Sequence, residues 1–338
     1  MNRTVLIIGP NYFNFLNATS NAFCRLGWHS VTESYDNPIH PYTTFMKWRW
    51  KLSRHKDILQ KKSRSYYNSY ILDRFHEIKP DMVFIMNGEI LEPETLDRFR
   101  ESSKVAVWLY DSRAKLPLSV GHVDHADAMF CYENNDVEQY RKEGKEAYFL
   151  PQACDTDIYR PLDMERDIDI LFIGTLFISP RRKQVVKAVI DSFPDRNIQI
   201  YGVYKPWYKG LFTWLFREHR NIYRNCNVAP EQVNVLYNRA KIALNIHNEQ
   251  QKDGANPRVF EICGSKSYQL CDGNPYIDKL FKNGEIGIWH SIDELTSLIR
   301  TGLDDVCRQS KAEKAYQEVM EHHTYDVRMK TVIDTLKI

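Results

Sequence analysis

A rhythm stated twice constrains this chain more than any other feature: short apolar runs, each followed by a helical pattern. In the first half the runs are "TVLIIG", "DMVFIMN", "KVAVWLY", "DAMFCY" and "AYFLP", alternating with patterns such as "YYNSYILDRFHEIKP" and "DVEQYRKEG". Runs without apolar/polar alternation are strands buried on both faces, and strands alternating with helices build a parallel sheet with helices on either side. The rhythm restarts at "DIDILFIG" and continues through "PRRKQVVKAVIDSF", "IQIYG", "PEQVNVLYNRA", "KIALNIH", "PRVFEICG", "SYQLCD", "EIGIWH" and "SIDELTSLIRTGL". The expected fold class is therefore α/β, with two Rossmann-like doubly wound domains in tandem. They join near "LPQACDTDIYRPL", residues 150–162, where polar residues and two prolines interrupt the pattern.

The 338 residues suit two domains, and 43% hydrophobic with 27% charged residues is an ordinary globular balance. Seven cysteines form no CxxC pair and no zinc-finger spacing, which points to reduced thiols and a cytoplasmic protein. The opening "MNRTVLIIGPNYF" reads as a first strand and not as a signal peptide. No run of about 18 apolar residues suggests a membrane span. A net charge of +2 gives no general attraction to nucleic acid.

Ligands of open parallel sheets bind at the carboxyl ends of the strands. Two domains facing each other would share one cleft, lined by residues 9–14, 87–89, 111–113, 174–182, 202–205 and 247–258. This directs attention to Gly174 and Lys205, among others. No GxGxxG or GxxxxGK[ST] motif is present, and neither HExxH, a His/Cys cluster nor GxSxG occurs. "DID" at residues 167–169 leads straight into a strand, so no acidic metal clamp stands out and no metal is expected. A phosphate would have to be held by backbone amides and cations.

The stretch "DGANPRVFEICGSKSYQLCD", residues 253–272, offers such a site. Pro257 suits the first helical turn, and Asn256 then caps a helix running to about Cys263. Its free amides attract an anion, and Arg258 adds a forked cation. Glu261, one turn on, can accept hydrogen bonds from two neighbouring hydroxyls, as a ribose offers. A plain cap followed by a solvated Glu accounts for the same residues equally well. A second basic loop carries Arg181, Arg182 and Lys183 at a helix start, where cations oppose the dipole; a bound anion would resolve that conflict, and a solvated turn is the simpler alternative.

Taken in order, "DILFIG" with a downstream Arg, "IQIYG", "VLYNRAKIALNIH", "GANPRVFEICG", "QLCD", "FKNGEIGIWHSIDEL" and "HHTYDVR" resemble the CgeB-like (spore maturation protein type) glycosyltransferases, relatives of the group 1 glycosyltransferases. "KPDMVFIMNG", "VAVWLYD", "DHADAMFCYENNDVEQYRKEG" and "YFLPQACDTDIYRP" are weaker echoes, and together they cover nearly the whole chain. The resemblance implies a GT-B fold: an acceptor-side domain over 1–155, a donor-side domain over 156–320, and a helix over 321–338 packing back on the first domain. It implies transfer of a sugar from a nucleotide-sugar donor to a glycan or lipid-linked acceptor, with no cofactor and no metal requirement. It places Glu261 on the donor ribose and Arg258 and Arg182 near the diphosphate. Many relatives carry Glu-x7-Glu here; Asp253 stands at the first position.

A base for the acceptor hydroxyl would come from the first domain, with Asp111 the first candidate and Glu89 the second, both from strand-end position; a cap or Asp-turn explains Asp111 more readily. Asn11 and Asn14 follow the first strand as ligand contacts or caps. His247 ends a strand at the same edge, and His322 and His323 belong to a closing turn. Two stretches, 45–64 with eight Lys or Arg against one Asp, and 204–220, mix cations with Trp and Phe. They are solvated faces or contacts to an anionic membrane surface on the cytoplasmic side; nucleic acid ranks last. A GT-B nucleotide-sugar epimerase and a non-catalytic nucleotide-sugar-binding protein are the alternative functions.

Overall fold

The computed structural model describes residues 3–11, 13–35, 45, 48–49, 52, 56–176, 179–203, 208, 211, 214–249 and 251–338. The chain divides into two compact units, one of Met1–Pro151 with Tyr325–Ile338, the other Gln152–Thr324. The expected boundaries stood at 155 and 320.

The first unit is built on β1 (Thr4–Gly9), β2 (His29–Ser34), β3 (Met82–Met86), β4 (Lys104–Leu109), β5 (Ala128–Cys131) and β6 (Tyr148–Phe149), all parallel in the order β2-β1-β3-β4-β5-β6. Val5–Ile8, Met82–Met86 and Val105–Leu109 are buried throughout, as strands covered on both faces must be. The covering helices are α1 (Phe15–Arg25), α2 (Lys56–Ile78), α3 (Pro93–Arg100) and α4 (Asn134–Lys142). α1 turns Phe15, Leu16, Ala18, Ala22 and Phe23 inward at helical spacing.

The second unit holds β7 (Ile168–Ile173), β8 (Ile198–Tyr201), β9 (Tyr223–Arg224), β10 (Ala240–Asn245), β11 (Tyr268–Asp272) and β12 (Gly287–Trp289), parallel in the order β12-β11-β10-β7-β8-β9. This is the Rossmann order, and its switch point lies between β7 and β10. Its helices are α5 (Pro180–Ser192), α6 (Trp214–His219), α7 (Pro230–Arg239), α8 (Pro257–Gly264), α9 (Pro275–Leu280), α10 (Ile292–Asp304) and α11 (Arg308–His322). Val185, Val189, Leu295 and Ile299 pack on one face of the sheet. Val233, Leu236, Val259 and Phe260 pack on the other.

The chain returns to the first unit as α12 (Tyr325–Leu336). Arg25 on α1 grips Asp326 in a two-pronged ion pair at 2.6–3.0 Å. Arg328 donates to the Pro151 carbonyl at 2.8 Å, and Trp108, fully buried, donates its indole N–H to Leu150 at 2.9 Å. All seven cysteines are free. No helix among the described residues is long and apolar enough to cross a membrane.

Gly264 ends α8 where a Cβ would lie 2.4 Å from the Cys154 sulfur and 3.3 Å from the Tyr159 carbonyl. We expect Gly264→Ala to lower stability by about 1–3 kcal/mol in urea unfolding, and Cys154→Ala added to it to recover part of the loss. Equal stability of Gly264→Ala and wild type would contradict this packing.

Candidate functional site

The loops after β7 and β10 diverge at the switch point of the second unit, and most of the residues singled out in sequence meet there. Arg182 is 4% exposed. Its Nε and Nη2 donate to the Ile246 carbonyl at 2.9 and 2.6 Å, and its Nη1 to Thr175 at 3.2 Å. Burial, joined by the neighbouring Arg258, holds its pKa down to about 10. The resemblance puts Arg182 near the diphosphate; its guanidinium is engaged by carbonyls and straps the two loops together. Gly174 is packed against Gly202, whose absent Cβ would fall 2.1 Å from the Gly174 carbonyl oxygen, so backbone passes against backbone here.

Asn256 caps α8, its Oδ1 accepting from the Val259 N–H at 3.3 Å. Its amide also pairs reciprocally with Asn245 at 3.0 and 3.1 Å, so the side chain is fully used as scaffold. Arg258, second in the helix and half-buried, has no hydrogen-bond or ion-pair partner among the described residues. One turn on, burial pushes the Glu261 carboxyl up to about 7, against Arg258 and a hydrogen bond from Tyr159, while Asp155 adds to the rise. Asp253 sits half-buried in the loop four residues before Pro257.

The start of α5 differs from the expectation of an open anion site. Glu249, on the loop after β10, accepts from the Ser179 hydroxyl at 3.0 Å and the Arg181 N–H at 3.1 Å. Arg181 donates to Asp272 at 2.6 Å and lies 5.4 Å from the centre of the Trp289 ring. The chain's own carboxylates thus satisfy this helix start and its first arginine. Asp272 in turn accepts from the backbone and ring of His247, at 2.9 and 2.7 Å. Burial raises the Asp272 carboxyl, but these bonds and Arg181 outweigh it and keep it below the usual carboxylate range. With Cys271, these two residues bring ligand-type atoms within 4.8 Å of one another. Burial holds the Cys271 thiol well above its ordinary pKa, which opposes thiolate ligation.

The structure sets Asn256, Arg258, Glu261 and His247, singled out in sequence, beside Asn245, Glu249, Asp272 and Tyr159, which were not singled out. The one signal for Asp272 was an acid ending "SYQLCD" at the carboxyl edge. Lys205 lies outside the described residues, as do 46–47, 50–51 and 53–55 of the first basic stretch and 204, 206–207, 209–210 and 212–213 of the second.

In the first unit, the two base candidates have structural duties. Asp111 pairs with Lys115 at 2.9 Å. Glu89 follows a left-handed pair, Asn87 (φ 61°) and Gly88 (φ 81°), and its Oε1 accepts from the Leu118 and Ser119 N–H groups and the Ser119 hydroxyl at 2.8–3.0 Å. Both candidates, chosen for position, are accordingly a one-turn ion pair and a turn cap. Asn11 is exposed, and Asn14 is left-handed (φ 61°) with no side-chain cap to α1. His323 stacks on Phe260 at 5.0 Å, while His322 is exposed.

Residues 181–334 match the family model described as glycosyl transferase-like. The two six-stranded parallel sheets are those of the GT-B glycosyltransferase fold. Among solved structures, sucrose-phosphate synthase from Thermosynechococcus elongatus has 8% identity and a TM-score of 0.72 over 99% of both chains. Anabaena HepE, solved with UDP and glucose, has 10% identity and a TM-score of 0.67 over 99% of this chain and 100% of that one. A UDP-forming α,α-trehalose-phosphate synthase from Burkholderia vietnamiensis has 10% identity and a TM-score of 0.67 over 100% of both. At such identities the likeness is one of fold. A comparison with curated protein sequences gave no match.

A carboxyl whose folded pKa is raised to about 7 contributes stability below its ordinary range near 4.5 and loses it as pH rises through 7. Glu261→Gln should therefore raise the melting temperature more at pH 8 than at pH 5, by on the order of 1–3 kcal/mol of stability at the higher pH. Equal gains at the two pH values would show that Glu261 titrates normally.

Proposed function

We propose that the protein is a glycosyltransferase that takes a sugar from a nucleotide-sugar donor and passes it to an acceptor hydroxyl. The observation that carries this reading is the start of α8. There an arginine without a protein partner among the described residues, Arg258, stands at a capped helix N-terminus, and a half-buried carboxyl, Glu261, follows one turn later. The amides and Arg258 take the diphosphate; Glu261 takes the two ribose hydroxyls. The match of residues 181–334 to a glycosyl transferase-like model supports it. So does Anabaena HepE, which shares the fold and was solved in complex with UDP and glucose.

In the reaction the acceptor oxygen bonds to the anomeric carbon as the bond from that carbon to the diphosphate breaks; the electron pair leaves with the phosphate oxygen, and the acceptor's proton passes to the departing diphosphate or to solvent. Arg258 and the preorganised amides stabilise that developing charge in place, without a required metal. The positive field of Arg182, which Arg258 feels, acts in the same sense. Asp253, ahead of the helix, is proposed to contact the donor sugar.

The acceptor is proposed to be a glycan or lipid-linked saccharide at the cytoplasmic face of a membrane. Exposed Phe45, Trp48 and Leu52 within a strongly basic stretch support this part, since aromatic and basic side chains together suit the interface.

A thermal-shift screen of nucleotide sugars, followed by UDP release assays with the stabilising donor, tests the reading. Arg258→Ala is expected to lower kcat/KM about 100-fold, and Glu261→Ala to raise the donor KM about 10-fold, with activity retained in EDTA. No stabilisation by any nucleotide sugar would overturn it, and epimerised sugar without acceptor would replace it with the epimerase reading.

A further inference from the structure

His247 follows β10 and is 2% exposed, and Asp272, ending β11, is 3% exposed. An ionised carboxylate only accepts, so the 2.7 Å contact from His247 Nδ1 to Asp272 Oδ1 puts the ring hydrogen on Nδ1. That leaves a lone pair on Nε2. Nε2 faces the backbone N–H of Asn256 across a long contact of 3.5 Å. Asn256 is the residue whose side chain caps α8 and interlocks with Asn245. At the other end, Asp272 is held by Arg181 at 2.6 Å from the first turn of α5. A buried relay therefore runs from α5 through Asp272 and His247 to the cap of α8.

We propose that His247 is a positioning residue for the donor diphosphate. Through a tautomer fixed by Asp272, it accepts the Asn256 N–H and so holds the first turn of α8, with Arg258 upon it, in the geometry that receives the anion. The inference rests on the donor-site reading above and deepens it. It explains a pattern that an ordinary buried pair does not require: the acceptor nitrogen, and not the donor, is turned toward the helix cap. Each buried polar group of the relay finds a counterpart, which makes the geometry rigid. Cys271, although 3.9 Å from Nδ1, adds only a protonated thiol to it.

The test is titration calorimetry with UDP and with uridine, since a role in placing the phosphate site moves the first and leaves the second. His247→Asn keeps a donor toward Asp272 and withdraws the acceptor from Asn256; it is expected to weaken UDP about 10-fold with uridine unchanged. His247→Gln restores an acceptor near the Nε2 position and is expected within about 3-fold of wild type. Asp272→Asn, which frees the tautomer, is expected to follow His247→Asn and serves if that variant does not fold. Cys271→Ser should bind UDP as wild type does; a loss matching His247→Asn would overturn the relay in favour of a metal site.

Equal weakening of UDP and uridine, or no weakening, would also overturn the proposal. If wild type and Arg258→Ala both bind UDP no more tightly than uridine, the donor-site reading itself falls, and this inference with it.

Discussion

A buried arginine without an acid of its own fixes the carboxyl edge of the second unit. Arg182 gives its guanidinium to the carbonyls of Thr175 and Ile246, one on each side of the sheet's switch point. Burying a charge this deeply is unfavourable unless its donors are satisfied, so the two loops must hold their carbonyls where the fork requires them. The rest of the site hangs from this strap. The β10 loop that carries Ile246 continues directly into His247, Glu249 and the cap of α8.

Around the strap the charges fall into two kinds. Arg181 and the start of α5 are answered from within the chain, by Asp272 and Glu249. Arg258 has no partner among the described residues, and Glu261 one turn on is a carboxyl whose burial favours the proton against Arg258 and the hydrogen bond from Tyr159. Of two neighbouring helix starts, one has its first arginine answered by the chain's own acids and the other carries an arginine without a partner among the described residues, the asymmetry on which the proposed diphosphate site rests. It also shows why the local basic count is a poor guide: "PRRK" carries three cations, yet its helix start is the one already occupied.

The fold was legible because parallel strands covered on both sides must be apolar throughout, so "TVLIIG" and "DILFIG" announce themselves without tertiary information. The capped start at Asn256-Pro257 was equally readable, since its chemistry is local. What the sequence could not reveal is pairing across the sheet. Asp272 lies 25 residues from His247, and their meeting depends on β10 and β11 being neighbours. The engagement of Arg182 was hidden for the same reason, since the Ile246 carbonyl that takes it lies 64 residues away. Strand-end position singled out Glu89 and Asp111 but did not reveal that a turn cap and a one-turn ion pair engage them.

The central claim is that the open helix start, and not the basic one, receives the nucleotide. A crystal structure with bound UDP tests it most directly. The account predicts the diphosphate on the first amides of α8 and on Arg258, the ribose hydroxyls on Glu261, and Glu249 still seated on Ser179. Diphosphate bound at the start of α5 in place of Glu249, with Arg258 unliganded, would contradict it.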